Sequence, residues 1–309
     1  MKRALIELPT WIGDTVMATP AIENIAQHLN DYEIIFIGSK NSIDLLRHHP
    51  KHPKLYLFNK KFSKLIQTAR EVGRIDIFVS FRSSIRSKFF SLILKAKHKH
   101  QYNKKKFSIG HQVEKYNNFA QGVIGINFKT SKLKLYQSKG KMSSKKPLLG
   151  INPGASYGSA KCWPTKKFIE TILVLSDKFD VLILGGVNEI DLSKEIARDL
   201  IKKGCRNFKN LSGKTSIEEL VSIVSALDLF ITGDSGPMHI AAAFQIPTVS
   251  IFGPTKEYET CQWMNPKSII VKKELACQPC MKRVCPLKHH NCMEKITSKE
   301  IIESALSLI

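Results

Sequence analysis

The stretch Asp228–Thr255, DLFITGDSGPMHIAAAFQIPTVSIFGPT, groups the residues whose types and spacing most directly suggest chemistry. Leu229–Thr232 is a short apolar run of strand type, Gly233-Asp234-Ser235-Gly236 is a turn, and Pro237–Phe244 carries helix-forming alanines. Asp234 or Ser235 is placed to cap that helix, with Pro237 inside its first turn. Glycines let a backbone approach a ligand closely, and the free amides at a helix start point toward it. Such an end attracts phosphate. The same parts also make an ordinary βαβ corner, so an anion site needs partners elsewhere in the chain.

Candidate partners are present. Asp14 ends the loop Pro9-Thr10-Trp11-Ile12-Gly13-Asp14, which follows a first strand, Ala4–Leu8. A carboxylate there is either a general base or a helix N-cap. Lys161 lies in a glycine- and serine-bearing loop, Pro153–Pro164, where its ammonium either neutralises an anion or is simply solvated. Glu189 follows Gly185-Gly186 at the carboxyl end of a strand, the usual place to accept from a ribose hydroxyl; the alternative is first-turn helix charge. His239 either supports the anion site or packs in the core. Cys277, Cys280, Cys285 and Cys292, with His289 and His290 between them, have metal-ligand residue types. With a single CxxC they fit no zinc module, and thiols packing a loop are the alternative. There is no Asp-x-Asp pair for a divalent ion, no P-loop and no complete G-x-G-x-x-G.

These residues must be positioned by alternating strands and helices. In the first half, strands at Ala4–Leu8, Glu33–Ile37, Leu55–Phe58 and Ile75–Ser80 alternate with helices at Thr15–Leu29, Ser42–His48 and Phe62–Glu71. The Thr19-Pro20 step restarts or kinks the first of these. Ser84–Ala96 reads as a further helix, basic on one face and apolar on the other through Ile85, Phe89, Leu92 and Ile93. The polar segment 137–147 reads as a linker. Beyond it the alternation resumes with Leu148–Asn152, a helix capped by Thr165 and running to about Ser176, Val181–Leu184, a helix over Glu189–Lys203 and one capped by Ser216, before a final amphipathic helix at Ser298–Leu308. The pattern predicts two doubly wound parallel sheets, in domains 1–147 and 148–309, facing a cleft, the last helix being free to pack back on the first domain.

Charge is placed unevenly. The chain has a formal net charge of +22, and residues 1–147 hold 28 Lys/Arg against 9 Asp/Glu. No acidic residue lies between Asp76 and Glu114. The first half is expected to meet something anionic, whether nucleic acid, an acidic membrane surface or a phosphorylated glycolipid. Seven cysteines, no long apolar run and an early Glu7 and Pro9 suit a protein of the reducing cytoplasm with no export signal.

Three motifs in order, LPTWIGDTVMATPAI, NPGASYGSAKCWP and TGDSGPMHIAAAFQIPTVSIFGPT, resemble the ADP-heptose:lipopolysaccharide heptosyltransferases, over Arg3 to about Met293. The loop Gly154–Pro164 and the late Cys-Pro/His-His segment are most similar to the second enzyme of that pathway. The resemblance implies an inverting glycosyltransferase of the GT-B type, two Rossmann-like domains. It makes Asp14 the general base and puts Ser156 and Lys161 on the donor diphosphate. Gly185 and Glu189 then serve the donor, Thr215 lies beside the adenine, and Asp234, Ser235, Gly236 and His239 complete the donor site, with Asp234 facing a sugar hydroxyl. The implied substrates are ADP-heptose and a heptosyl-Kdo-lipid A acceptor at the inner face of the inner membrane, with no cofactor and no required metal. Lys95, Lys97 and Lys99 are the candidates for acceptor contact. Another transferase of the family, the first heptosyltransferase or one using a different nucleotide sugar, is the alternative. A polyanion-binding module is the competing class, but Phe89, Phe90, Tyr102 and Phe107 form no RNA-binding signature, and no nucleic-acid partner is expected.

Overall fold

A computed structural model describes all 309 residues, in two compact units that divide at Gln137–Ser138. The first unit contains strands β1 (Lys2–Glu7), β2 (Tyr32–Gly38), β3 (Lys54–Leu57), β4 (Ile75–Ser80) and β5 (Ala96–Gln101). Its helices are α1 (Ile12–Met17), α2 (Thr19–His28), α3 (Lys40–Leu46), α4 (Phe62–Val72), α5 (Ile85–Ile93) and α6 (Gln112–Ile124). The strands run parallel in the order β3-β2-β1-β4-β5. Central strands in such a sheet are covered on both faces and so read as continuous apolar runs. Leu5, Ile35, Ile37 and Phe78 are accordingly buried against Leu65 and Phe90 from the covering helices.

The second unit contains β6 (Leu148–Asn152), β7 (Asp180–Ile183), β8 (Phe208–Asn210), β9 (Leu229–Gly233), β10 (Thr248–Phe252) and β11 (Ser268–Lys272). Its helices are α7 (Thr165–Leu175), α8 (Ile190–Lys202), α9 (Ile217–Ser225), α10 (Gly236–Ala243), α11 (Glu257–Thr260), α12 (Asn291–Glu294) and α13 (Ser298–Leu306). The sheet order is β11-β10-β9-β6-β7-β8, again parallel throughout. The order reverses between β6 and β9, where Asn152 is in register with Thr232. In doubly wound sheets ligands bind beyond the carboxyl ends of the strands at such a reversal. The first sheet has its reversal between β1 and β4.

Several local expectations change. Over Thr15–Leu29 the Thr19-Pro20 step proves to be a restart, one of its two readings, with α1 and α2 separated at Ala18 and Pro20 in the first turn of the second. Segment 138–147 folds with the second unit, because Gly140 N donates to Ser225 Oγ and the amides of Lys145 and Lys146 donate to Asp180. Gln137, by contrast, donates to the carbonyls of Asp44 and Leu45. The last helix, α13, is part of the second unit's core, with Ile301 and Ala305 buried beside α7 residues Phe168 and Ile172. No helix is long and apolar enough to cross a membrane.

Candidate active site

Lys161 and Asp234 meet at the reversal of the second sheet. Lys161 comes from the loop after β6, and Asp234 from the turn after β9. The Nζ of Lys161 donates to Asp234 Oδ2 at 2.5 Å and to the Asp234 carbonyl at 3.3 Å. Asp234 Oδ2 also accepts from Thr255 Oγ1 at 2.7 Å, in the loop after β10. Both charged side chains are largely withdrawn from water, 12% and 7% exposed. The ammonium further lies 4.6 Å from the centroid of the Tyr157 ring, which suits a partly desolvated cation. Asp234 thereby holds the lysine in place through Oδ2.

The turn into α10 is built without a side-chain cap. Ser235 is the N-cap residue by backbone geometry, but no side chain accepts from the first amides of the helix. The Ser235 hydroxyl is instead shared with Thr232 Oγ1 at 2.9 Å and accepts from Asn152 Nδ2 at 3.2 Å. Asn152 thus ties the ends of β6 and β9 together beneath the site. Gly236 opens the helix, and a helix start carries partial positive charge on its amides. His239 lies one turn on and is buried. An anion at this helix start would find backbone donors and, from the adjoining loop, an ammonium.

Glu189 is enclosed rather than open. Its Oε2 accepts from Gly186 N at 2.7 Å, closing its own short turn, and the Ser156 hydroxyl stands 3.5 Å from Oε1. The loops can close over it only because two neighbours lack a side chain. A Cβ on Gly154 would lie 2.1 Å from Glu189 Cγ, and one on Gly185 2.9 Å from Glu189 Cβ. Ser156 is exposed at the rim, and Thr215 is half-buried just before the N-cap of α9, Ser216.

In the first unit Asp14 is the third residue of α1, not a loop residue, and the N-cap position is Trp11 with no capping side chain. The loop before it is short and held down: Thr15 Oγ1 donates to the Trp11 carbonyl at 2.9 Å, and Ser42 Oγ to the Pro9 carbonyl at 2.6 Å. Half-buried Asp14 accepts from the Tyr116 hydroxyl at 3.2 Å. Burial, and then the charge of Asp14, raise the Tyr116 phenol well above its usual range, so it is a fixed donor to that carboxylate. Tyr116 lies on α6, an element whose mixed polar pattern the sequence reading passes over.

A second group missed from sequence lies at the carboxyl ends of β1 and β4. Glu7 is fully buried; its Oε2 accepts from Ser80 and Ser87 at 2.6 Å each, and Arg82 Nη1 stands 3.4 Å from Oε1. Burial pushes the Glu7 carboxyl up, against the pull of those two hydroxyls and the guanidinium. The signal available in sequence was a carboxylate ending an otherwise apolar strand, ALIE.

The helix read over Ser84–Ala96 is shorter than expected, and the lysines after it lie on or beside a strand. The helix stops at Ile93, and Ala96–Gln101 pairs with β4 as the edge strand β5. Lys97 is tied to Asp76 at 2.7 Å and Lys99 to the Ser91 carbonyl at 2.6 Å, with Lys95 exposed just before the strand. Lysines along an edge discourage pairing with another sheet, which accounts for this alternation without a ligand.

Comparison with known proteins now decides the family. The model for glycosyltransferase family 9 (heptosyltransferase) matches residues 64–291. The lipooligosaccharide heptosyltransferase 2 of Campylobacter jejuni serotype O:2 is 40% identical, over 99% of this chain and 98% of that protein. The chain belongs to glycosyltransferase family 9. Among solved structures, Escherichia coli ADP-heptose lipopolysaccharide heptosyltransferase II superposes with a TM-score of 0.83 at 21% identity, covering 99% of this chain and 98% of the other. The family 9 glycosyl transferase of Veillonella parvula gives a TM-score of 0.87 at 18% identity over 99% and 97%. At these identities the likeness is one of fold, and it is the GT-B fold of two parallel-sheet units.

Within this family 9 chain the Cys/His segment packs against the loop that carries Lys161. Cys277, Cys280, Cys285 and Cys292 line one small pocket with His289 and His290. None of the seven cysteines is in a disulfide. Burial, then the neighbouring Cys280, Cys285 and Cys277, push the Cys292 thiol up to about 11. The segment braces that loop: Ala160 N donates to the Arg283 carbonyl at 3.0 Å, Tyr157 Oη to the Met281 carbonyl at 2.7 Å, and His290 Nε2 lies 2.8 Å from the Ala160 carbonyl.

Proposed function

We propose that this glycosyltransferase moves L-glycero-D-manno-heptose from ADP-heptose to the heptosyl-Kdo-lipid A inner core of lipopolysaccharide, with inversion at the anomeric carbon. The full-length relationship to the Campylobacter jejuni lipooligosaccharide heptosyltransferase 2 supports the substrate class. The observation that carries the reading is the Lys161–Asp234–Thr255 group beside the start of α10. It is a seat for a diphosphate: an ammonium held on a carboxylate leash, next to helix-end amides.

In the proposed step the acceptor hydroxyl oxygen forms its bond to the anomeric carbon as that carbon's bond to the diphosphate oxygen breaks. The hydroxyl proton passes to the Asp14 carboxylate, which Tyr116 orients, and ADP leaves with the bonding electron pair. Negative charge grows on the diphosphate as the bond breaks, so Lys161 and the α10 amides stabilise the transition state more than the ground state. No metal or cofactor enters this step. Glu189 and Thr215 serve the nucleoside side of the donor, and Ser156, Gly185, Ser235, Gly236 and His239 shape its surroundings. The basic first unit suits an acceptor bearing phosphates and acidic sugars in an anionic membrane leaflet, which supports a working position at the cytoplasmic face. No nucleic-acid partner is proposed.

The test is calorimetric titration with ADP-heptose and with other nucleotide sugars, followed by transfer assays on acceptors with and without the first heptose. Preference for ADP-heptose and for the heptosylated acceptor supports the reading. Equal use of another nucleotide sugar, or transfer only to the unheptosylated acceptor, redirects it to another member of the family.

A further inference from the structure

The apolar residues of α5 point the wrong way for a core helix. Ser87 and Phe90 are its buried positions, whereas Ile85 is 81% exposed and Leu92 78% exposed. Positions 85, 89 and 92 share one helical stripe. The half-buried Phe89 ring meets Phe62 of α4 edge-on, with centroids 4.9 Å apart. That contact joins exposed Phe62, and Ile66 one turn later, to the stripe on α5. Two neighbouring helices thus present one continuous apolar face to solvent, of the kind that marks an interaction site.

The surroundings of this face select its partner. Lys60, Lys61 and Lys64 are exposed at the start of α4, and Arg86, Lys88 and Lys95 are exposed on or beside α5. Residues 45–113 contain 17 Lys/Arg against two acidic residues, Glu71 and Asp76, and Asp76 is already paired with Lys97. Protein–protein interfaces are depleted in lysine, and polyanion binding through phosphates does not call for solvent-facing isoleucine and leucine. Apolar side chains surrounded by long cationic ones match a bilayer interface, where the stems bury and the charges reach anionic headgroups.

We infer that the outer face of α4 and α5 is the surface on which this protein docks to an anionic bilayer, Ile85, Leu92, Phe62 and Ile66 entering the headgroup boundary. The inference rests on the proposed membrane-borne acceptor and names the surface that reaches it. Because the apolar residues lie outside the donor group, they can be changed without touching it.

The experiment is co-sedimentation of the full chain with vesicles of phosphatidylcholine alone and of phosphatidylcholine mixed with phosphatidylglycerol, whose negative surface potential attracts basic residues. Wild type should partition onto the anionic vesicles, with salt weakening it. Ile85→Ser with Leu92→Ser should reduce partitioning at least about tenfold. Arg86→Gln with Lys88→Gln should reduce it severalfold on anionic vesicles and leave neutral vesicles unaffected. Leu92→Trp should keep binding and shift its emission to the blue on vesicles. ADP affinity, measured in parallel, should be unchanged in all of them, so failure of the docking surface is distinguishable from failure of the donor reading. Partitioning that is equal in wild type and the serine variant overturns the inference. So does self-association, or binding to RNA in preference to vesicles, that the same substitutions abolish.

Discussion

Removing the carboxylate that holds Lys161 tests the centre of the proposed donor seat. In Asp234→Ala the ammonium, only 12% exposed, loses its acceptor at 2.5 Å, and the Thr255 hydroxyl loses its own acceptor at 2.7 Å. Breaking a buried pair from one side leaves an uncompensated charge and costs about 3–5 kcal/mol. In a unit of this size that is a melting-temperature loss of roughly 6–20 °C. Lys161→Ala should fall in the same range, because it strands the carboxylate instead. The double variant should lose less than the two together, since no lone charge remains, with a coupling of about 1–3 kcal/mol. ADP should restore part of the loss in Asp234→Ala, its diphosphate supplying the missing negative charge, so the ADP-induced melting shift is larger there than in wild type. In Lys161→Ala the ADP shift should shrink and transfer should slow. Differential scanning fluorimetry with and without ADP reads all of this. Strictly additive losses, or an Asp234→Ala protein that melts within about 2 °C of wild type, would show that the pair is incidental.

Three further outcomes are expected. Asp14→Asn should retain calorimetric ADP affinity and lose at least about a hundredfold in turnover; turnover close to wild type would remove residue 14 as the base. Tyr116→Phe should lower kcat by about tenfold with KM for ADP-heptose little changed, because a donor that orients the carboxylate is lost; an unchanged kcat would reduce Tyr116 to packing. Glu300 is set against burial, which would raise it, by Lys273 and the Thr297 backbone and hydroxyl, which together bring it down to about 2. A carboxyl lowered on folding adds stability above its unfolded value of about 4.3 and loses it as pH falls through about 2. Urea melts should therefore separate wild type from Glu300→Gln at pH 7 and bring the two together as the pH is lowered from about 4.5 toward 2; a gap that persists at the acid end would refute the linkage.

Much of the scaffold is legible in the residues because central parallel strands are buried on both faces. ALIE, LLGIN, LFIT and TVSIF are apolar runs that could be little else between turn residues. Capping is legible only in part: Ser216 does cap α9, whereas Thr165 is the first residue of α7 rather than its cap, and neither Asp234 nor Ser235 gives a side chain to the first amides of α10. The elements passed over are chiefly the edge strands β5, β8 and β11, in which only Val271 is buried. An edge strand pairs on one side, so its apolar signal is weak, and AKHKHQ looks like a run of surface charge.

What the chain determined by itself was the alternation of strands and helices, the excess positive charge of the first half, and the three loop motifs that mark the family. What only the tertiary structure decided was which polar groups find one another. Asp234 meets Lys161 across 73 residues, Tyr116 reaches Asp14 across 102, and Glu7 gathers Ser80 and Ser87. The outward turn of Ile85 and Leu92 was likewise beyond sequence. Periodicity shows that a helix has an apolar stripe, but which stripe is buried depends on the surfaces packed against it. On α5 the sheet takes Phe90 and Ser87, and leaves the other stripe to the solvent.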